Sequence, residues 1–547
     1  MSAAGSQNFA SMLAGHAAER PDAVALAMAG DYHPEDGYRL YDTLSFKALH
    51  ERSDALAWGL QERLGITRGE RVSMLVTPGF EFFVVGMALY KLGAVPVLID
   101  PGMGREGFLR CVAANQPSAL IAIPAGQALS RVFSSSFGSI KRRLTVGGGA
   151  WLFGGLAYKD CLMPERGPFP MADVAPDSEA SILFTSGSTG PAKGVVYTHG
   201  MFTTQARLIG RMMGIRPGES DVPCFLPFAM FSVSLGMTVT LPEINFSKPA
   251  TAKAKAVLAA LHHAQADQLV GSPAVMTRLI EHGEERGGLR LPHLKRVLTF
   301  GAPISPAIHE AFRRLVGENV EIFTPYGATE ALPLSVIGSR EILAGAGAKT
   351  AAGAGTCVGR PIEEVAVRVI PITDGPVSAV DPVPQGEIGE ITVRGPMVSP
   401  EYKELPQENA VAKVDTAEGR WHRMGDVGYV DESGRLWFCG RKSHRVTLKE
   451  GGVIFPDRLE GLFNTHPDVA RAAVVGVAGE PVLIVEPKEK MSLRRDELVR
   501  ALLVLAQTND EARRVRRVLF YDRFPVDRRH NAKIDRPALA AWAARAR

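Results

Sequence analysis

The sequence has few cysteines, no long apolar run and little excess charge, and each of these absences excludes a class of protein. Its five cysteines are widely spaced and form no CxxC pair, so neither a zinc site nor a disulfide framework is indicated. The most apolar stretch, 82–90, is far shorter than the roughly 20 residues that a membrane span needs. Residues 1–10 lack a basic region followed by an apolar core. We therefore expect no secretory signal and a cytoplasmic protein.

The composition that is present is that of a folded globular chain of 547 residues. Hydrophobic residues make up 46% and charged residues 22%, which excludes a disordered chain. A net charge of +4 is too small to indicate nucleic-acid binding. The charge is uneven, however, because residues 491–547 contain 14 basic and 7 acidic residues. This segment could face a polyanion such as a nucleotide phosphate, or it could be a solvated Arg-rich helix.

Strand-like and helix-like segments alternate along most of the chain. Residues 71–76 are predicted as a buried strand, 81–92 as an apolar helix and 95–99 as the next strand, and the pattern recurs over 268–300. This order is typical of a parallel α/β sheet. Residues 360–440 are instead short and β-rich, which predicts a small antiparallel, barrel-like subdomain. An α/β pattern resumes after 441, so we predict a body over 1–440 and a lid over 444–547.

The small-residue stretch 344–355, AGAGAKTAAGAG, superficially suggests a phosphate-binding P-loop. That motif needs a glycine immediately before the Lys-Ser/Thr pair, and here Ala348 precedes Lys349 and Thr350. We therefore predict a flexible surface loop.

The segment 183–194, LFTSGSTGPAKG, is the most informative one in the chain. Glycines let the backbone N–H groups approach an anion, and hydroxyls and a lysine add further donors. A Gly/Ser linker is the alternative, but apolar strand-like segments precede and follow this loop. The candidate anion-binding residues are Thr185, Ser186, Gly187, Ser188, Thr189, Gly190 and Lys193.

TSGSTGPAKG resembles the phosphate loop of the adenylate-forming superfamily, which includes acyl-CoA synthetases, luciferases and peptide adenylation domains. Further family motifs follow in the same order, so the resemblance covers essentially the whole chain. It implies an α/β fold with a large N-terminal body of two parallel α/β subdomains plus a β-barrel-like subdomain. It also implies a small mobile C-terminal α/β lid that turns about a hinge at 441–443, with Ser443 as the hinge residue.

The resemblance implies ATP and Mg²⁺, and assigns roles to residues of three further motifs. The TFGAP turn lies along the adenine in the family. In YGATE the aromatic ring stacks on adenine, Thr329 touches the α-phosphate and Glu330 holds Mg²⁺. In MGDV the acid binds the ribose, and the arginine of the later Gly-Arg pair contacts ribose or phosphate. The residues carried over are Gly301, Ala302, Pro303, Tyr326, Gly327, Ala328, Thr329, Glu330, Asp426 and Arg441.

FPVDRRHNAKI, residues 524–534, resembles the family's Pro…Gly-Lys ending. The resemblance assigns Lys533 the role of the catalytic lysine, which bridges the substrate carboxylate and the α-phosphate. Thr329 and Glu330 complete the catalytic set that it implies.

The region around LPFAMFSVSL, residues 226–235, bears on the substrate. It lacks the acid that pairs an amino-acid ammonium in peptide adenylation domains, which favours an apolar acid. Phe228, Met230 and Phe231 are candidate pocket walls, with plain core packing as the alternative.

Met230, Ser443 and the RHNAK ending together resemble the branch that forms β-lactones from 2-alkyl-3-hydroxy acids in bacterial long-chain olefin biosynthesis. The alternatives are a long-chain acyl-CoA synthetase and a nucleotide-binding scaffold without catalysis. No general base is identified for the hydroxyl, because surface positions are expected for the candidates His422, His444 and His530. The resemblance also implies assembly with the pathway's reductase and lactone decarboxylase, with no nucleic acid and no membrane span.

Overall fold

The computed structural model describes residues 7–33, 38–184, 192–302, 304–526 and 533–546. The chain divides into two compact units. The first unit contains Met1–Leu298, Thr329–Leu332 and Pro396–Pro406, and the second contains Thr299–Ala328, Pro333–Gly395 and Gln407–Arg547. This division does not follow the predicted boundary at 441–443, which stays a prediction.

The described residues form helices and strands along the whole chain. The helices are α1 (Ser11–Glu19), α2 (Phe46–Glu62), α3 (Phe80–Leu92), α4 (Arg105–Asn115), α5 (Pro124–Val132), α6 (Ala150–Phe153), α7 (Tyr158–Cys161), α8 (His199–Met213), α9 (Leu226–Ser234), α10 (Ala254–Ala264), α11 (Pro273–Arg286), α12 (Pro306–Val316), α13 (Ser339–Glu341), α14 (Gly347–Ala351), α15 (Pro406–Ala412), α16 (Pro456–Phe463), α17 (Arg495–Ala506) and α18 (Arg536–Ala543). The strands are β1 (Val24–His33), β2 (Tyr38–Ser45), β3 (Arg71–Leu75), β4 (Val95–Leu98), β5 (Ala119–Ala122), β6 (Arg142–Thr145), β7 (Leu156–Ala157), β8 (Glu179–Phe184), β9 (Gly194–Thr198), β10 (Ser220–Pro223), β11 (Thr238–Leu241), β12 (Gln268–Gly271), β13 (Arg296–Thr299), β14 (Glu321–Ala328), β15 (Ala331–Gly338), β16 (Thr356–Cys357), β17 (Arg360–Pro361), β18 (Ala366–Ile370), β19 (Gly389–Arg394), β20 (Lys413–Thr416), β21 (Gly419–Val430), β22 (Leu436–Arg441), β23 (Val446–Thr447), β24 (Val453–Ile454), β25 (Val469–Val477), β26 (Glu480–Pro487) and β27 (Arg517–Phe520).

A largely parallel sheet forms one layer of the first unit, with strand order β7-β6-β5-β3-β4-β8-β9. Its strands are short and rich in apolar and β-branched residues, as expected for strands that helices cover on both faces. The last strand reverses direction, because β9 pairs antiparallel with β8. The loop 185–191 between β8 and β9 lies outside the described residues.

A second sheet of the first unit contains parallel pairs of β12, β10, β11 and β1. β2 pairs antiparallel with β1. α9 follows β10 and begins with Pro227 in its first turn, where a missing N–H costs no helix hydrogen bond.

An antiparallel sheet in the second unit has the order β16-β22-β21-β19-β18, with β20 on β21. It occupies the stretch that the sequence predicts to be β-rich. Further along the chain, β25, β26 and β27 form a three-stranded sheet. α16 and α17 pack on it through a buried cluster that includes Leu459, Phe463, Leu498 and Leu502.

The predicted α/β fold class with parallel sheets is confirmed, but the predicted loop 344–355 is wrong over 344–351, and only 352–355 lie outside a helix. Residues Ile342–Ala346 form a helical turn with a kink at Gly345, where φ is 153°, and α14 follows directly. Alanine favours helix, and the small side chains allow close packing. Within this unit, a Cβ on Gly347 would lie 2.7 Å from Pro306 Cγ.

A search of the described helices finds none that is both long and apolar enough to cross a membrane.

Candidate active site

Tyr402 links two predicted site residues of the first unit, Lys193 and Glu330. Lys193 lies directly before β9, and its Nζ is 4.9 Å from the centroid of the Tyr402 ring. The Tyr402 hydroxyl donates a hydrogen bond of 2.7 Å to Glu330 Oε1. A backbone bridge between Val195 and Tyr402 fixes this tyrosine beside β9. The candidate phosphate lysine and the candidate Mg²⁺ carboxylate therefore share one aromatic neighbour.

The backbone at Thr329 and Glu330 is also held in place. The Tyr197 hydroxyl donates to the Thr329 carbonyl at 2.6 Å. The Ser399 N–H donates to the Glu330 carbonyl at 2.7 Å. Burial, assisted by the nearby Glu330 charge, raises the pKa of Tyr197, so its phenol stays protonated and remains a donor.

The Glu330 side chain keeps the capacity to bind a cation. A carboxylate has about four lone-pair sites, and the Tyr402 hydrogen bond occupies one of them. Hard carboxylate oxygen is also the ligand type that Mg²⁺ prefers. The residues present therefore fit a magnesium ion at this position. Within the described ranges, no cluster of three or more His, Cys, Asp and Glu side chains suited to a metal occurs.

A second group of predicted residues surrounds Asp426 in the second unit. The Tyr326 hydroxyl donates to Asp426 Oδ2 at 2.6 Å. Arg441 Nη1 lies 3.0 Å from Asp426 Oδ1 and also donates to the Met424 carbonyl at 3.1 Å. The strand register explains why Asp426 and Arg441 are neighbours, because Asp426 of β21 lies opposite Arg441 of β22. The Tyr326 ring lies 5.9 Å from the Phe438 ring, so its position is fixed at both ends.

The charge state of Asp426 depends on these neighbours. Burial raises the pKa of its carboxyl, and Asp457 raises it further. Arg441, the Tyr326 hydrogen bond and Lys533 oppose this effect, and each favours the carboxylate. The sequence predicts Lys533 in the same site, and here its charge acts on the predicted ribose-binding acid.

A buried ion-pair cluster fixes the chain three residues after Lys533. Arg536, at the start of α18, has its Nη2 2.5 Å from Glu460 Oε2 and 3.2 Å from Asp457 Oδ1. Glu460 Oε1 also accepts a hydrogen bond of 2.9 Å from the Val474 N–H. An isolated bridge between Val526 and Ile534 holds the other side of the segment.

The predicted hinge residue Ser443 is exposed and lies in a 3₁₀ turn, Lys442–His444. Its neighbours are anchored within the second unit. Lys442 Nζ lies 2.9 Å from Oε1 of the buried Glu390, which also pairs with Arg423 at 2.6 Å. Whether the chain turns at Ser443 stays a prediction.

The remaining predicted residues lie as follows. Gly301 and Ala302 form a turn after β13, where Gly301 has φ 100°. Gly327 and Ala328 end β14. The residues Thr185, Ser186, Gly187, Ser188, Thr189, Gly190, Pro303 and His530 lie outside the described residues.

The surface position predicted for His422 is wrong. Its side chain is 1% exposed, because β21 is covered at this point. His444 is half-buried, and burial lowers its pKa to about 4, so it is neutral near pH 7.

The predicted pocket residues lie on α9. Phe228 and Phe231 are buried, and the Phe231 ring is 6.2 Å from that of Phe9 and 6.0 Å from that of Phe202. Met230 is partly buried, and its terminal methyl group lies beside Gly86 of α3. Phe231 thus contributes to the core, and the pocket role of these residues stays a prediction.

Sequence reasoning missed Tyr402 and the cluster of Glu460, Asp457 and Arg536. None of these residues lies in a motif that was recognised. A tyrosine within the β-rich stretch 360–440 carries no local signal of its partners, since Glu330 is 72 positions away.

Residues 13–403 match the AMP-binding enzyme family. The chain is 40% identical to the olefin β-lactone synthetase of Xanthomonas campestris pv. campestris, over 99% of this chain and 98% of that protein. It is 42% identical to the olefin β-lactone synthetase of Stenotrophomonas maltophilia, over 98% of both chains.

A solved structure agrees with this match at the level of the fold. The amide bond synthetase McbA from Marinactinospora thermotolerans superposes with a TM-score of 0.79 at 24% identity, covering 98% of this chain and 99% of that one. The resemblance to the adenylate-forming superfamily is confirmed by the family match and by the two relatives. The chain belongs to the AMP-binding enzyme family.

Proposed function

We propose that this protein is an ATP-dependent β-lactone synthetase. It activates a long-chain 2-alkyl-3-hydroxy acid as an acyl-AMP, and the substrate's own 3-hydroxyl then closes the lactone. The observation that carries the proposal is 40–42% identity, over nearly the whole chain, to two relatives that bear the name olefin β-lactone synthetase. The family of AMP-binding enzymes supports the use of ATP.

In the first half-reaction a carboxylate oxygen of the substrate attacks the α-phosphorus of ATP, and pyrophosphate leaves. Lys193 and the 185–190 loop hold the β- and γ-phosphates, and Thr329 contacts the α-phosphate. Tyr402 supports this assignment, because it orients both Lys193 and Glu330. Glu330 would hold a magnesium ion, which would supply positive charge to neutralise the phosphates.

The nucleoside is assigned to the second group of residues. Tyr326 presents its ring to the adenine, with Gly301, Ala302, Pro303, Gly327 and Ala328 along the base. Asp426 accepts hydrogen bonds from the ribose hydroxyls, and Arg441 contacts ribose or phosphate. This role requires the ionised carboxylate, which Tyr326, Arg441 and Lys533 favour.

Lys533 is assigned to the position where the substrate carboxylate approaches the α-phosphate. Two anions repel each other there, and an ammonium about 4 Å away contributes roughly 4 kcal/mol at an effective dielectric constant near 20. The buried ion pairs of Arg536 support this role by holding the adjoining chain.

In the second half-reaction the 3-hydroxyl oxygen attacks the acyl carbonyl carbon and loses its proton. The bond between the carbonyl carbon and the AMP oxygen breaks, so AMP leaves with one oxygen of the former carboxylate. Because nucleophile and electrophile belong to one molecule, no thiol is required, although ring strain offsets part of the proximity gain. Phe228, Met230 and Phe231 are proposed to line the alkyl pocket.

The experiment supplies ATP, Mg²⁺ and a 2-alkyl-3-hydroxy acid without coenzyme A, and separates the products by mass spectrometry. The proposal expects lactone and AMP in equal amounts. The matched control is the same acid without the 3-hydroxyl, which should exchange pyrophosphate but yield no lactone. A thioester that forms only with coenzyme A would make the protein an acyl-CoA synthetase, and ATP binding without pyrophosphate exchange would make it a scaffold.

We also propose a cytoplasmic location, supported by five free cysteines, all of them buried. Assembly with a reductase and a lactone decarboxylase of the same pathway remains part of the proposal. Two-hybrid or co-purification assays with those enzymes test it.

A further inference from the structure

Three exposed apolar side chains form a tip in the first unit, and none of them is assigned a catalytic role above. We define the apolar tip as Val132, Trp151 and Leu152. Their side chains are 74%, 83% and 61% exposed. Six large apolar side chains are exposed in the described part of the chain, and three of them belong to this tip. Such grouping, in place of scattered single residues, marks an interaction surface.

Two glycines and one side-chain hydrogen bond set the conformation of the tip. α6 is the four-residue helix AWLF, and it lies between Gly149 and Gly154, which have φ of 80° and 68°. Only glycine adopts this left-handed region at little cost, so both ends of the helix can turn sharply. Arg131, next to Val132 at the end of α5, donates to the Phe153 carbonyl and joins the two helices.

Cations border the tip. Arg131 is exposed, and burial, with a further effect from the Arg131 charge, lowers the pKa of Arg143. Arg143 donates to Gln127 Oε1 at 3.1 Å and to the Ser130 hydroxyl at 2.6 Å, both of them neutral groups. The two guanidinium charges are close enough to interact, which makes this part of the surface positive.

The charge of the surrounding segment has one sign. Residues 107–159 contain six lysines and arginines and no aspartate or glutamate. One of these cations, Arg142, pairs with Glu70, which leaves five outside that pair. Exposed tryptophan and leucine beside arginines whose partners are neutral groups are the combination that enters the headgroup region of an anionic bilayer.

We propose that the apolar tip docks the protein on the surface of a membrane that contains anionic phospholipids. Trp151 and Leu152 enter the boundary between headgroups and acyl chains, and Arg131 with Arg143 binds lipid phosphates. The surface lies outside the proposed reaction. For the water-insoluble acids proposed as substrates, such docking brings the enzyme to the phase in which they dissolve.

The test measures co-sedimentation of the full-length protein with vesicles of phosphatidylcholine, with and without phosphatidylglycerol. We expect binding to the anionic vesicles that weakens with salt, and little binding to the neutral ones. W151S/L152S should lower the partition coefficient about ten-fold or more. R131Q should lower it about five-fold, the effect of one cation near an anionic surface. The matched control V504S, at a 70% exposed valine of α17, should bind like the wild type.

Pyrophosphate exchange is also measured with the acid dispersed in detergent, so that a change in membrane binding can be told apart from a change in catalysis. W151S/L152S should exchange at the wild-type rate, which also shows that the variant folds. Equal binding of wild type and W151S/L152S to anionic vesicles would overturn the proposal. So would wild-type binding that is the same for neutral and anionic vesicles. Loss of self-association in the variant, by sedimentation velocity and without a change in vesicle binding, would assign the tip to a protein contact instead.

Discussion

Replacing Tyr326 by phenylalanine tests the nucleoside site, because it removes one hydroxyl and keeps the ring. That hydroxyl donates to Asp426 Oδ2 at 2.6 Å in a buried setting. A hydrogen bond to a charged acceptor contributes about 1.5–3 kcal/mol, and 1.36 kcal/mol corresponds to one pKa unit. The donor favours the carboxylate, so its loss should raise the pKa of Asp426.

The consequence for ATP depends on pH. Asp426 binds ribose hydroxyls as the ionised acceptor, so the acid limb of kcat/KM for ATP should move to higher pH. Below both pKa values the variant should be about 10- to 100-fold slower than the wild type at the same pH, and well above them the two should converge. Pyrophosphate exchange measured against ATP concentration at each pH gives this profile.

Tyr429 provides the matched control. It lies on the same strand as Asp426, and its hydroxyl donates to a neutral group, the Ala354 carbonyl, at 3.1 Å. Tyr429→Phe should therefore leave the acid limb in place. A Tyr326→Phe profile that keeps the wild-type acid limb, or that is lowered equally at every pH, would refute the coupling between this phenol and Asp426.

Three further predictions concern other described residues. Lys533→Ala should slow pyrophosphate exchange by about 10³-fold, the equivalent of roughly 4 kcal/mol. The control Lys449→Ala, at an exposed lysine, should keep the wild-type rate. A Lys533→Ala variant that also keeps the wild-type rate would mean that Lys533 takes no part in the reaction. Burial raises the pKa of Asp221 to about 7, so above about pH 4 the folded state holds a proton that the unfolded state has lost. The free energy of unfolding should then fall by up to about 1.4 kcal/mol per pH unit until pH 7. In urea titrations Asp221→Asn should make the free energy of unfolding less dependent on pH. An unchanged pH dependence in this variant would contradict the raised pKa of Asp221. Asp54 lies 2.6 Å from the fully buried Lys91, so Asp54→Asn should lower the free energy of unfolding by about 3–5 kcal/mol. The double variant Asp54→Leu with Lys91→Met should recover most of that loss. An Asp54→Asn variant as stable as the wild type would mean that the pair is not buried.

Local patterns in the sequence predict much of this fold. β3 and β4 are predicted within one residue at either end, because a short apolar run between turn residues has few alternatives. The loop prediction for 344–355 fails over 344–351, because the glycines suggest a loop while the alanines favour the helix that forms there. Local composition alone does not decide between the two, since packing against Pro306 contributes.

The candidate site is predictable where its residues lie in contiguous motifs. Asp426 and Arg441 come from two separate motifs, and their meeting follows from a strand register that the sequence does not state. Tyr402 and Arg536 act through partners 72 and 76 positions away, and a single sequence carries no signal for such pairs. Burial of His422 depends likewise on elements that pack over β21, so its polar sequence context misleads.

Labelling the substrate carboxylate with ¹⁸O tests most directly whether the lactone forms through an acyl-AMP. The substrate acid carries ¹⁸O at both carboxylate positions and is converted with ATP in the absence of coenzyme A. Attack of the 3-hydroxyl on an acyl-AMP leaves one label in the lactone carbonyl and transfers the other to AMP. A lactone that keeps both labels, with unlabelled AMP, would mean that the hydroxyl carbon is activated and the carboxylate attacks it, which contradicts the account.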